Sequence, residues 1–304
     1  MKRLVLHVGY PKTATTALQE SLFTQLPADS WEYVSPISAN RSLDVRRLKR
    51  VLQGVDTSPY RNAMISTKNW LISMEGLVFD CIRELEGGRH FRPLDWRSTV
   101  SSIRTFAEKS QFDDIRIIVF LRRQDELIHS VYAQSYRHFF AHLADMNTMS
   151  KYVNRIVSAE NKRDPVARIY YFDSVLAPLC ETFGRDSVYI NFYEDLCNRP
   201  EDVINELSNQ IGFAFQHTLV SANVRTEADG VKRARRATLW DFFLHFKRRF
   251  LGRVRLPSFV ARGAKNALTA IELAEVEKVA LSQGQRESIM KRFRLPNSEL
   301  TESY

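Results

Sequence analysis

Residues 3–22 constrain this chain more than any other stretch. Arg3 to Val8 is a short, nearly continuous apolar run, the pattern of a buried strand, and a turn carrying Gly9 and Pro11 follows at once. From Thr15 the pattern becomes helical, with Leu18 and Leu22 one turn apart. A strand that ends in such a turn and opens a helix aims its first free N–H groups above the strand's carboxyl end. The helix dipole adds partial positive charge there. His7 to Gln19 therefore reads as a cradle for a phosphate-bearing nucleotide. Against the phosphate-loop pattern Gly-x-x-x-x-Gly-Lys-Ser/Thr, Gly9 holds the first glycine, Ala14 the second, Thr15 the lysine and Thr16 the Ser/Thr. The lysine has moved inside the loop, to Lys12. From there it reaches across the loop's mouth, and Thr15 and Thr16 bond one terminal phosphate directly, with no need of a triphosphate or a metal. A methyl group at Ala14 suits a helical φ but leaves less room for a phosphate oxygen.

The rest of the chain alternates strand and helix signals. Trp31 to Val34, Trp70 to Met74, Ile115 to Leu121 and Ser187 to Tyr193 read as strands, and Ile115 to Leu121 is apolar enough for a central parallel strand. Helical patterns occupy 43–52, 77–86, 95–108, a long stretch from Gln124, and 200–211; residues 54–62 read as loop. This order implies α/β architecture: a P-loop-like three-layer fold with a central parallel sheet flanked by helices. No repeat or linker divides residues 1–304, so one domain is expected, with 225–304 as its helical, basic C-terminal part.

Tyr10-Pro-Lys-Thr-Ala-Thr-Thr-Ala-Leu-Gln resembles the 5′-phosphosulfate loop of the PAPS-dependent sulfotransferases, whose common form is Pro-Lys-Ser/Thr-Gly-Thr-Thr. That family also carries a strand ending in Arg with a Ser eight residues on, and here Arg122 and Ser130 have that spacing. A looser similarity to the family's strand-end Tyr-Glu-Asp-Leu lies in Phe192 to Leu196, and similarities to its bacterial carbohydrate-type members lie in Ile72 to Leu77 and in Arg292 to Leu300, where Ser298 stands in place of the usual Arg. The Arg-Lys-Gly loop of the cytosolic animal enzymes is missing; Arg225, Lys232 and Arg233 are candidates for its duty by charge alone.

The resemblance implies a sulfuryl transfer from PAPS to a hydroxyl of a carbohydrate or glycolipid, by in-line displacement and with no metal. Lys12, Thr13, Ala14, Thr15 and Thr16 would bind the donor's 5′ side, and Arg122 and Ser130 its 3′-phosphate. The neighbouring Arg123 fits the spacing less well than Arg122. Lys12 would steady the departing phosphate, and Glu75, just past a strand, would be the base. The alternative for Glu75 is a carboxylate stabilised at the start of a helix over 77–86. His7 and His129 are rival bases, but a histidine within a strand is more often a satisfied core residue. Two other classes stay open: a P-loop-type nucleotide kinase, and a non-enzymatic anion- or nucleic-acid-binding protein.

Charge adds a second feature. Between Arg225 and Lys265 stand twelve Arg and Lys against three acids, a surplus equal to the whole net charge of +9. Such a segment suits an anionic partner. Within it, Leu239, Phe242, Phe243, Phe246 and Phe250 share one helical face. Residues 239–255 therefore read either as a helix packed on the sheet or as an interfacial helix at a membrane surface. No nucleic-acid-binding motif accompanies the basics, so no nucleic acid is expected. Cys81, Cys180 and Cys197 are odd in number and lack metal-ligand spacing, which suits reduced thiols in a cytoplasmic or membrane-peripheral setting.

Overall fold

A computed structural model of the chain describes residues 1–37, 44–77, 95–142, 145–159, 164, 166–216 and 280–303, together with the single positions 243 and 268. Five parallel strands form the centre: β1 (Arg3–His7), β2 (Trp31–Val34), β3 (Asn69–Ser73), β4 (Asp114–Leu121) and β5 (Val188–Phe192), in the order β2-β3-β1-β4-β5. The strand expectations are met to within two residues at either end. Ten helices accompany them among the described residues: α1 (Thr15–Ala17), α2 (Val45–Leu52), α3 (Arg61–Ile65), α4 (Trp96–Lys109), α5 (Gln124–His142), α6 (Met149–Val157), α7 (Asp173–Phe183), α8 (Tyr193–Asn198), α9 (Pro200–Ile211) and α10 (Gln283–Ser303).

Side-chain alternation along the strands sends apolar residues to both faces, as a doubly covered parallel sheet requires. On one face Leu4, Leu6, Trp70, Ile72, Ile117 and Val119 pack against α2, α4, α5, α6, α7 and α10. On the other, Val5, Leu71, Ile118 and Phe120 meet Leu18, Leu22 and Phe23 and the Val203, Ile204, Leu207 and Ile211 stripe of α9. The result is three layers, the α/β arrangement expected.

Helix limits follow local chemistry. Asp44 and Asp95 cap α2 and α4 by accepting the N–H of Arg47 and Arg97. Pro200 opens α9 and Gly212, at φ 77°, ends it in the left-handed region. The helix expected from Thr15 is shorter than anticipated: three α-helical residues give way to a π turn over Leu18–Leu22 and a 3-10 turn over Phe23–Gln25. The loop expected over 54–62 ends early, because α3 begins at Arg61. Helices α6 and α7 were not anticipated, and Pro178 inside α7 breaks the pattern that would mark it. The expected helix over 77–86, the basic segment 225–265 and the apolar face of 239–255 lie outside the described residues, apart from Leu77, which closes the 3-10 turn Glu75–Leu77, and the single position 243. Cys180 is half-buried and Cys197 is exposed, so the latter is a surface thiol.

Strand order decides where a ligand can sit. The chain leaves β1 for β2 and β3 on one side and returns to β4 on the other, so β1 and β4 flank the point where the winding reverses. In open α/β sheets the crevice at the carboxyl ends of such strands is the binding place. The loop after β1, Glu75 after β3, Arg122 after β4 and Tyr193 after β5 all lie on that edge.

Candidate active site

The loop after β1 is held in a strained conformation. Lys12 has φ 67° and Ala14 φ 60°, both left-handed, so Ala14 does not take the helical φ expected of it. An L-residue there crowds its Cβ against the following carbonyl, at about 1–2 kcal/mol per residue. Such strain persists only where the surroundings over-determine it. Thr13 supplies part of the restraint, its buried hydroxyl donating to the Tyr10 carbonyl at 2.7 Å. The Tyr10 ring is itself buried edge-on against Phe172.

Gly9 brings Glu75 and the loop together. A Cβ at Gly9 would lie 2.7 Å from Thr15 Oγ1 and 3.3 Å from Glu75 Cα, so glycine lets β3's end sit this close without displacing Thr15. A bond from the Met74 N–H to the His7 carbonyl, 3.0–3.1 Å long like its neighbour from Val8 to Ile118, continues the sheet up to the loop. Glu75 accepts the Lys12 backbone N–H, and the Lys12 charge lies close. Burial pushes the Glu75 carboxyl above its ordinary value, against the opposing pull of that charge and that hydrogen bond. Thr15 is buried, and its Oγ1 has no hydrogen-bond partner among the described residues. Thr16 is half-buried in the first turn beside it.

Arg122 ties the second motif to the first. Its Nη1 donates to the Lys12 carbonyl at 3.0 Å and to Ser130 Oγ at 3.3 Å, and Tyr193 stacks its ring 4.5 Å from the guanidinium carbon. Arg122 Nε is buried without a partner among the described residues. Arg123 instead turns outward: it is more than half exposed and forks onto Asp125 at 2.7 and 3.1 Å. The structure thus brings Lys12, Thr13, Ala14, Thr15, Thr16, Glu75, Arg122 and Ser130 to one edge, and leaves Arg123 aside.

Both rival histidines are buried. His7 is fully buried between Phe23 and Phe120, its Nδ1 is 2.7 Å from Ser73 Oγ, and desolvation lowers its pKa to about 3. It is a neutral core residue, but not the fully satisfied one expected, because Nε2 is buried without a partner among the described residues. His129 is buried on α5, one residue before Ser130.

Four residues that shape this edge had no role assigned in the sequence reading. Gln19 crosses from the π turn to the Ser73 carbonyl and hydroxyl at 3.1 and 2.9 Å, fixing β3 below Glu75. Tyr193 was noticed only as part of a similar run, not as a ring on Arg122. Arg286 and Asn297 of α10 reach the start of α5, 160 to 173 positions away along the chain. Only the first had a local signal, a polar residue on the buried face of an otherwise apolar helical pattern.

Solved structures similar to this chain include a sulfotransferase from Alicyclobacillus acidocaldarius, at 13% identity over 75% of this chain and 88% of that one, with a TM-score of 0.43. Mouse sulfotransferase SULT7A1 complexed with PAP matches at 13% identity over 98% and 87%, TM-score 0.42. The sulfotransferase domain from the curacin biosynthetic pathway matches at 11% over 97% and 98%, TM-score 0.39. No family model and no curated protein matches the chain. At this degree of likeness the chemistry has to be read from the site itself.

Proposed function

We propose that this protein is a PAPS-dependent sulfotransferase acting on a hydroxyl of a carbohydrate or glycolipid. The observation that carries the reading is Arg122 bridging Lys12 O and Ser130 Oγ at the winding reversal, with Glu75 held on the same loop. A donor with phosphates on both its 5′ and 3′ carbons needs two anion sites a ribose ring apart, one at the β1 loop and one at the end of β4. The unpartnered Thr15 Oγ1 and Arg122 Nε fit that need. Left-handed residues alternating in a loop favour converging N–H groups, a concavity suited to phosphate oxygens.

The residues divide the work as follows. Thr13, Ala14, Thr15 and Thr16 hold the 5′-phosphate; Arg122 and Ser130 hold the 3′-phosphate by a forked cation and a hydroxyl. As the sulfur–oxygen bond to the acceptor forms and the one to the 5′-phosphate breaks, Lys12 steadies charge on the departing oxygen. Glu75 takes the acceptor's proton; a carboxylate with a raised pKa is a better base for a weakly acidic sugar hydroxyl. Positioning and charge stabilisation suffice in such in-line transfers, and no metal is needed. The surplus charge of 225–265 would hold an anionic glycan or lipid surface, with 239–255 as the interfacial element of a single, cytoplasmic or membrane-peripheral domain. No described helix is long and apolar enough to cross a membrane.

Calorimetry with adenosine 3′,5′-bisphosphate, ATP–Mg²⁺ and an oligonucleotide, side by side, tests the reading. Preference for the bisphosphate without metal is expected; preference for either other ligand overturns it. Lys12→Ala should lose transfer by about 10²–10³-fold or more while keeping its thermal midpoint, and wild-type turnover in that variant removes Lys12 from the mechanism.

A further inference from the structure

A cluster of charged side chains lies where α10 crosses the first turn of α5. Arg286 Nη1 donates to Asp125 Oδ2 and to Glu126 Oε1, each at 2.7 Å. Asp125, fully buried, also receives Arg123 Nη2 at 2.7 Å. The other oxygen of Glu126 lies 3.5 Å from Arg122 Nη2. Three guanidiniums thus share two carboxylates, with one positive charge in surplus. Glu126 is bound short to Arg286 and long to Arg122.

We propose that Arg286 is a positioning residue for the nucleotide site: by engaging Glu126 it keeps Arg122 available for the donor's 3′-phosphate. The proposal rests on the reading of Arg122 given above. The reasoning is electrostatic. A half-buried carboxylate four positions from Arg122 takes that guanidinium as its counter-ion unless another cation is closer, and its charge repels an arriving phosphate. Arg286 is that closer cation. It is delivered by a firmly seated element, since Phe293 of α10 is fully buried against Tyr170 and Tyr171. Asn297 further along pairs amide to amide with Gln124, at 2.8 and 3.2 Å. The C-terminal helix therefore belongs to the nucleotide site through a carboxylate, without touching the nucleotide.

Calorimetric titration of the full chain with adenosine 3′,5′-bisphosphate and with adenosine 5′-monophosphate tests this. Arg286→Ala should weaken the bisphosphate about tenfold, the range of one hydrogen bond to a charged group, and leave the monophosphate unchanged. Arg286→Lys should recover part of the loss. The double variant Arg286→Ala/Glu126→Gln, in which no carboxylate competes for Arg122, should return to within about threefold of wild type. Equal weakening of both nucleotides, or a double variant as weak as Arg286→Ala alone, overturns the proposal. Arg122→Ala is the reference: if it binds the bisphosphate as well as wild type does, the underlying assignment of Arg122 fails, whatever Arg286 does.

Discussion

Ala14 occupies a conformation that glycine adopts without penalty, and the chain tolerates it because Thr13, Tyr10 and the packing beneath fix the loop. Removing the methyl relieves about 1–2 kcal/mol of backbone strain, while a more flexible unfolded chain takes back roughly 0.4–1. Ala14→Gly should therefore stabilise the protein by up to about 1.5 kcal/mol, read as a higher denaturant midpoint; a lower one would show that the methyl's packing outweighs the strain. Glu75 presents the opposite balance. Its pKa is raised in the folded state by burial, so the folded protein is penalised for its charge. Stability from this group is present below the ordinary carboxylate range and is lost as pH rises through the raised value. Glu75→Gln should accordingly raise the thermal midpoint at pH 7 and lose that advantage in acid, while cutting transfer by about 10²–10⁴-fold. Thermal scans across pH, with a turnover assay beside them, check both halves. Lys12 and Glu75 were legible as residue types at telling positions. The left-handed φ values were not, because nothing in Lys12 or Ala14 favours that region.

The elements that matter most are the two with strong local signals and the one without. The strand β4 was readable from its unbroken apolar run, and α9 from Pro200 at its start, so both lie where expected. Helix α10 gave a similar-looking tail but no hint of where it docks. Its role rests on contacts between residues 124–126 and 286–297, which no period or cap can announce. Gln124 is almost wholly buried and its amide pairs with Asn297. Asn297→Ala leaves that amide unsatisfied and should cost about 1–3 kcal/mol, measured by chemical denaturation. Replacing both partners by apolar residues should recover much of the loss, which separates the unpaired amide from simple loss of packing.

At the scale of the whole molecule, acid should loosen the sheet from its centre. His7 sits on the central strand with a pKa lowered to about 3 by burial, against an ordinary 6.5. Between those values the unfolded chain binds a proton that the folded protein refuses, so stability falls as pH drops through 6.5 toward 3, by up to about 1.4 kcal/mol per pH unit. His7→Asn, whose amide can take the Nδ1 position beside Ser73, should lower stability overall yet flatten this acid limb. Denaturation midpoints between pH 7 and 4 read the slope, and an unchanged slope would place the acid sensitivity elsewhere. By itself the sequence determined what is local: which runs are strands, that a loop with Lys12 follows the first of them, and that Arg122 and Ser130 stand eight residues apart. Periodicity, turn chemistry and spacing are short-range properties, and a chain carries them wherever it goes. Only the tertiary structure decided that β1 and β4 would be neighbours, that Gly9 would let Glu75 reach the loop, and that Arg286 would arrive beside Glu126. Those juxtapositions come from strand order and from burying two apolar faces at once, which couples residues far apart along the chain.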